Sequence, residues 1–207
     1  MRICEMFRSI QGEGTTIGMV TYFVRTVGCN LRCGWCDTSF SYDGGYELSV
    51  PEIMEFAKDE KNVCVTGGEP MLQNDMIDLL DALLLSDKRI VLETNGSVDL
   101  SNVPASRDLK ISMDMKCPSS GMSDRMLLSN LRYLKRTDQL KFVIADDRDL
   151  EYATSFIKEN ELVCNVVFSP MGGIEIRSLA ETVIKSNLNV RVLPQLHKVI
   201  WGDERSV

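Results

Sequence analysis

Cys29-Asn30-Leu31-Arg32-Cys33-Gly34-Trp35-Cys36 packs three cysteines into one short run, at C-x3-C-x2-C spacing with an aromatic before the last. Three thiolates on a tight loop can hold a 4Fe–4S cubane by three of its four irons. The fourth iron then has no protein ligand, and an open position is what separates a reactive metal site from a closed structural one. A structural zinc site calls for a second cysteine or histidine pair. Here Cys4, Cys64, Cys117 and Cys164 stand singly, and His197 is the only histidine. A ferredoxin-type carrier needs a fourth cluster ligand. Coincidental core cysteines are the remaining reading, because free cysteine is among the most buried residue types. Clustering within one loop favours the iron–sulfur site.

Working outward, the loop follows an apolar run, Val20–Val27, and further runs recur at Val63–Thr66, Ile90–Glu93, Leu109–Met113, Leu140–Ile144, Val163–Phe168 and Val190–Leu193. Their length and content of Val, Ile, Leu and Phe predict buried parallel strands. Helical patterns lie between them. Ser49-Val50-Pro51-Glu52 reads as a capping box with proline in the first turn, opening a helix to about Asp59. Met76–Leu85 sets Met76, Leu79, Leu80 and Leu83 on one face, and Arg125–Lys135, Asp149–Lys158 and Ile176–Ser186 repeat the pattern. The alternation predicts an α/β fold with one parallel sheet, a single domain over residues 1–207. A short N-terminal extension (1–19) and a C-terminal tail (195–207) flank it. About six βα units suit a partial, open barrel, since a complete (β/α)8 ring takes about 250 residues. Polar and glycine-rich segments follow most strands, at the carboxyl ends where such folds build their sites.

Composition narrows the partners. The chain has 207 residues, 44% hydrophobic and 26% charged, with a net charge of −7. That charge disfavours nucleic acid, whose backbone calls for a basic face. No apolar run approaches the roughly 18 residues that span a bilayer, and the first residues lack the apolar stretch of a signal peptide. Seven cysteines, an odd number with three in a metal-type cluster, argue for a reducing cytoplasm rather than a disulfide framework.

The cysteine loop and its Trp35 match the signature of radical S-adenosylmethionine (SAM) enzymes. Further segments sharpen the likeness: Ser9-Ile10-Gln11-Gly12-Glu13-Gly14, Phe23-Val24-Arg25-Thr26-Val27-Gly28-Cys29, Cys36-Asp37-Thr38, Val65-Thr66-Gly67-Gly68-Glu69-Pro70, Glu93-Thr94-Asn95-Gly96 and Gln195-Leu196-His197-Lys198. Together they closely resemble the 7-carboxy-7-deazaguanine synthases, over nearly the whole chain. The resemblance implies ring contraction of 6-carboxy-5,6,7,8-tetrahydropterin to 7-carboxy-7-deazaguanine with loss of ammonia, a carbon–nitrogen lyase step in queuosine and archaeosine precursor synthesis. It implies a 4Fe–4S cluster, SAM and Mg2+ as cofactors, and an external electron donor of flavodoxin or ferredoxin type. A homodimer is expected, because an open sheet edge needs covering.

Residue roles implied by the resemblance are as follows. Cys29, Cys33 and Cys36 ligate the cluster. Trp35, Cys36 and Asp37 lie against the adenine of SAM, and Gly68 and Glu69 take its amino group. Asp114 and Lys116 contact its ribose and carboxylate region, with Ser169, Pro170 and Met171 closing the far side. Ile10, Gln11, Gly12 and Glu13 read the pterin edge, Arg25 forks onto the pterin carboxylate, and Thr66 and His197 complete the pocket. Thr38 offers an oxygen to Mg2+, which prefers oxygen ligands. Many synthases carry Ser-Pro-Lys where this chain has Asp114-Met115-Lys116, which is nearer the Asp-x-Lys of glycyl-radical activating enzymes. That second family, and an iron–sulfur electron-transfer or sensing module, are the alternatives; the Gln11–Glu13 segment argues against both.

Overall fold

The structure is a computed structural model describing residues 1–207. Nine strands form one open sheet: β1 (Arg2–Ile10), β2 (Val20–Thr26), β3 (Tyr46–Glu47), β4 (Asn62–Gly67), β5 (Arg89–Thr94), β6 (Leu109–Asp114), β7 (Gln139–Ile144), β8 (Asn165–Pro170) and β9 (Arg191–Val192). Their order is β3-β1-β2-β4-β5-β6-β7-β8-β9. From β2 to β9 all neighbours are parallel, while β1 runs antiparallel to both β2 and β3. Five helices accompany them: α1 (Val50–Phe56), α2 (Met76–Leu85), α3 (Asp147–Glu159), α4 (Arg177–Ser186) and α5 (Leu196–Trp201).

Strand period two divides the sheet into unlike faces. One set, including Val24, Val63, Val65, Ile90, Leu92, Ile111, Met113, Leu140, Phe142 and Phe168, packs under the helices in the main core. Leu79, Leu80 and Leu83 of α2 are fully buried there, each contributing about 1.5–3 kcal/mol of apolar burial. Residues between them, among them Arg25, Thr66, Glu93, Asp114, Lys141 and Ser169, point to the opposite face and line a cavity.

Two expectations need correction, and the N-terminal extension carries an element that had not been assigned: residues 2–10 form β1, which places Glu5, Phe7 and Ser9 on the cavity face beside Phe23 and Arg25 of β2. The segment 125–135 is not an α-helix but short 3-10 turns at Ser123–Arg125 and Leu128–Tyr133. Tertiary bonding overrides its helical period, because buried Asn130 accepts from Leu100 N and donates to Gly96 O and Val98 O. The helix opened by the Ser49 capping box stops at Phe56 rather than Asp59. The Lys88 ammonium donates to Ala57 O, Lys58 O and Glu60 O at 2.6–2.9 Å, satisfying carbonyls that a further helical turn would have used. The tail, too, carries an unexpected element, α5.

Candidate active site

The carboxyl ends of the parallel strands open into one cavity of about 520 Å3, within the range of small-ligand sites. Every candidate residue except Glu69 lines it. Glu69 is fully buried and its carboxylate turns inward, accepting from Met71 N at 3.0 Å, Thr94 Oγ1 at 2.8 Å and Asn95 N at 2.6 Å. Its expected direct contact with an ammonium group is therefore corrected: Gly68 faces the cavity, and Glu69 shapes the two loops around it. Burial pushes the Glu69 carboxyl up to about 7, against the pull of those three donors. Gly68 is required by close approach, since a Cβ there would meet Gly28 O at 2.2 Å.

The cysteine loop lies at the mouth, with all three thiols free of disulfides and only partly buried. Cys29 Sγ accepts from Leu31 N at 3.4 Å and Asn95 Nδ2 at 3.7 Å, which fix the direction of the thiol. No three His, Cys, Asp or Glu groups converge to hold a single metal ion. A cubane is held through three separate irons, so its thiolates need no common focus, and this donor set fits it. Trp35 is held by its indole N–H, which donates to Ser119 Oγ at 3.1 Å; Ser119 is in turn fixed by buried Asp149.

At the opposite wall, Arg25 is only 15% exposed and donates from Nε to Glu5 Oε1 at 2.8 Å. Its guanidinium carbon lies 5.9 Å from the Phe7 ring and 5.8 Å from the Phe40 ring. Neither terminal nitrogen has a protein partner, so the fork is available to a ligand. Thr38 Oγ1 has only long contacts, 3.5 Å to Asp37 Oδ1 and 3.7 Å to Cys36 Sγ. Gly12 packs so closely on His197 that an added Cβ would sit 2.0 Å from Nδ1. Burial holds the His197 imidazole below its ordinary pKa.

Two charged residues that the sequence reading passed over occupy the floor. Glu93 accepts from Gln11 Nε2 at 3.2 Å and Thr66 Oγ1 at 3.1 Å; burial, then the nearby Glu13 charge, raises its carboxyl. Lys141 bonds Glu13 Oε2 and lies 3.2 Å from Asp114 Oδ1, while Asp114 Oδ2 holds Lys116 at 2.6 Å. Burial alone would raise Glu13 and Asp114; the lysines outweigh it and hold both below the usual carboxylate range. A signal existed for both residues. Lys141 is the one charge in β7, and Glu93 is a carboxylate following the apolar run Ile90–Leu92 of β5; both sit at inward positions, where an unpaired charge would be costly.

Comparison with known proteins agrees with this architecture. The model of the Radical SAM superfamily matches residues 23–115. A 7-carboxy-7-deazaguanine synthase of Thermoplasma acidophilum is 43% identical over 98% of this chain and 98% of its own. That of Methanospirillum hungatei is 43% identical over 97% of this chain and 85% of its own. Among solved structures, QueE from Escherichia coli superposes with a TM-score of 0.74 over 93% of both chains, at 21% identity, a likeness of fold. By full-length identity and by fold, the chain belongs to the 7-carboxy-7-deazaguanine synthases, radical SAM enzymes that use a 4Fe–4S cluster and SAM.

Proposed function

We propose that this chain converts 6-carboxy-5,6,7,8-tetrahydropterin to 7-carboxy-7-deazaguanine with loss of ammonia, in the synthesis of 7-deazapurines such as the queuosine and archaeosine precursors. The observation that carries the reading is the Arg25 fork. It is anchored at Nε and open at both ends, in the same cavity as the cysteine loop. A planar two-pronged donor selects a carboxylate. Gln11, Glu13 and His197 stand where the edge of a flat heterocycle would be read, and Glu13, kept ionised, accepts from its guanidine-like N–H groups. Thr66 and Glu93 border the same half.

Held by Cys29, Cys33 and Cys36, the cluster would supply the one-electron chemistry that cleaves SAM reductively, the electron coming from an external donor. The chain's own residues position the two ligands. Trp35, Cys36 and Asp37 wall the adenine side, and Gly68 offers backbone to the methionine amine. Lys116 and Asp114 lie toward the ribose and carboxylate, with Ser169, Pro170 and Met171 across from them. Thr38 would offer an oxygen to Mg2+. Segment 202–207 crosses the mouth and limits access of water and other hydrogen donors.

No helix is long and apolar enough to cross a membrane, and seven free cysteines suit a reducing cytoplasm. A flavodoxin or ferredoxin supplies the electron, and turnover with each purified donor tells which. Open sheet edges at β3 and β9 support a homodimer, decided by sedimentation. Anaerobic incubation with SAM, reductant, Mg2+ and the carboxypterin yields 7-carboxy-7-deazaguanine by mass spectrometry. Formation of 5′-deoxyadenosine alone, with the pterin intact, would overturn the assignment.

A further inference from the structure

Lys141 and Asp114 are register partners on adjacent parallel strands, β7 and β6. Their side chains are 13% and 19% exposed, and they form the middle of a chain of alternating charges, Glu13–Lys141–Asp114–Lys116. One end belongs to the pterin half of the cavity, where Gln195 Nε2 donates to Glu13 Oε1 at 2.6 Å. The other end reaches the SAM half, where the Lys116 ammonium lies 5.8 Å from the centre of the Trp35 ring. Four groups of alternating sign thus cross the floor from one ligand to the other. Lys141 belongs to no contact so far assigned to either ligand.

Resting on the reading above, we infer that Lys141 is a positioning residue that couples pterin binding to SAM binding. An ammonium is a compact charge with three donors and no fixed plane. Held between two carboxylates, it can redistribute its bonds without changing rotamer class. When the pterin donates its ring N–H groups to Glu13, that carboxylate's charge is shared and its hold on Lys141 weakens. Lys141 then bonds Asp114 more fully. Asp114 in turn holds Lys116 less tightly, leaving the Lys116 ammonium free to meet the carboxylate of SAM. All four side chains are mostly buried, which weakens solvent screening of these exchanges. The sign of the coupling is positive: pterin strengthens SAM binding, and by linkage SAM strengthens pterin binding to the same degree.

The test is equilibrium binding of SAM to anaerobic, cluster-loaded protein without reductant, so that nothing turns over. In the native enzyme, saturating pterin raises SAM affinity about fivefold or more. In Lys141→Gln the ratio falls to about one, with iron content unchanged, and Lys141→Arg restores part of it. Asp114→Asn decides the matter if Lys141→Gln fails to fold. It leaves the Lys141–Glu13 pair in place, so pterin binds alone as in the native enzyme, yet the ratio again falls to about one. A native ratio of one, or a native-like ratio in Asp114→Asn or in a folded Lys141→Gln, overturns the inference and leaves the substrate assignment standing. A native enzyme that binds SAM but no pterin overturns both.

Discussion

Arg25 shows how much a single side chain can specify once its neighbours fix it. Glu5 takes Nε, and the Phe7 and Phe40 rings flank the guanidinium, so its plane and direction are set before a ligand arrives. Lysine can supply the charge but not the fork. Losing one charge-assisted bond costs about 1.5–3 kcal/mol, or roughly ten- to a hundredfold in affinity. Arg25→Lys should therefore raise the pterin Kd by that factor while iron content and SAM binding hold. Thr38→Ala should blunt the response to Mg2+ without loss of iron. Normal pterin turnover and magnesium dependence in both variants would remove these residues as the carboxylate anchor. At this scale the rare residues were legible from sequence: clustered cysteines, Trp35 beside them, a glutamine between glycine-rich neighbours. Lys141 was missed because its strand was read as a uniformly apolar run, and Glu93, though it opens the Glu93-Thr94-Asn95-Gly96 segment, was given no role. Counted at period two, both fall on the inward row with Arg25 and Asp114. The inward turn of the Glu69 carboxylate had no such signal, since it follows from the path of the loop after β4.

Among the elements, that loop and the one after β5 are joined through Glu69, which accepts from Met71 N on its own side and from Thr94 and Asn95 on the other. The junction is sensitive to pH. Burial raises the folded pKa from 4.5 to about 7, so between those values the native state keeps a proton that the unfolded chain has released. The stabilising effect of that proton is fully present at the acid end and is lost as pH rises through the window, by about 3 kcal/mol in all. Glu69→Gln should flatten that slope in urea unfolding curves taken across the window. It should also lower stability at the acid end by about 1–3 kcal/mol, because Asn95 N–H loses its acceptor. An unchanged slope would acquit Glu69. The parallel strands β2 and β4 to β9 were legible as apolar runs, and α1 from its capping box, while two-residue β3, both residues exposed, left no such run. β1 was not, because Arg2, Glu5, Arg8 and Ser9 dilute its apolar pattern and half of it serves the cavity. The 3-10 turns near Asn130 were hidden for a different reason: the Asn130 side chain bonds to backbone about thirty positions away, which holds the segment out of a helix.

Across the whole molecule, the segment 202–207 lines the cavity and is fastened through three of its residues, the last by Ser9 Oγ donating to Val207 O. Ser206 Oγ donates to Glu5 Oε2 at 2.8 Å. The Arg205 guanidinium rests 3.6 Å from the centre of the Phe40 ring and 3.5 Å from Glu5. Arg205→Ala should loosen this strap, raising the pterin KM several-fold and increasing uncoupled 5′-deoxyadenosine. Because Arg205 is 55% exposed, the melting temperature should shift little. An unchanged KM with tight coupling would show that the strap contributes nothing to enclosure.

The pterin wall also has a consequence in time. Leu196 N donates to Gly12 O at 2.8 Å, and Gln195 reaches Glu13 across 182 residues of sequence. Contacts of such separation form after the intervening chain has been ordered, because closing the largest loop gains least until its ends are already held near each other. The cysteine loop closes over shorter spans, its partners Asn95 and Ser119 lying 66 and 84 residues away in sequence. By separation alone, then, the walls of the metal site are ordered before those of the pterin pocket, and substrate recognition waits on the last part of the sheet.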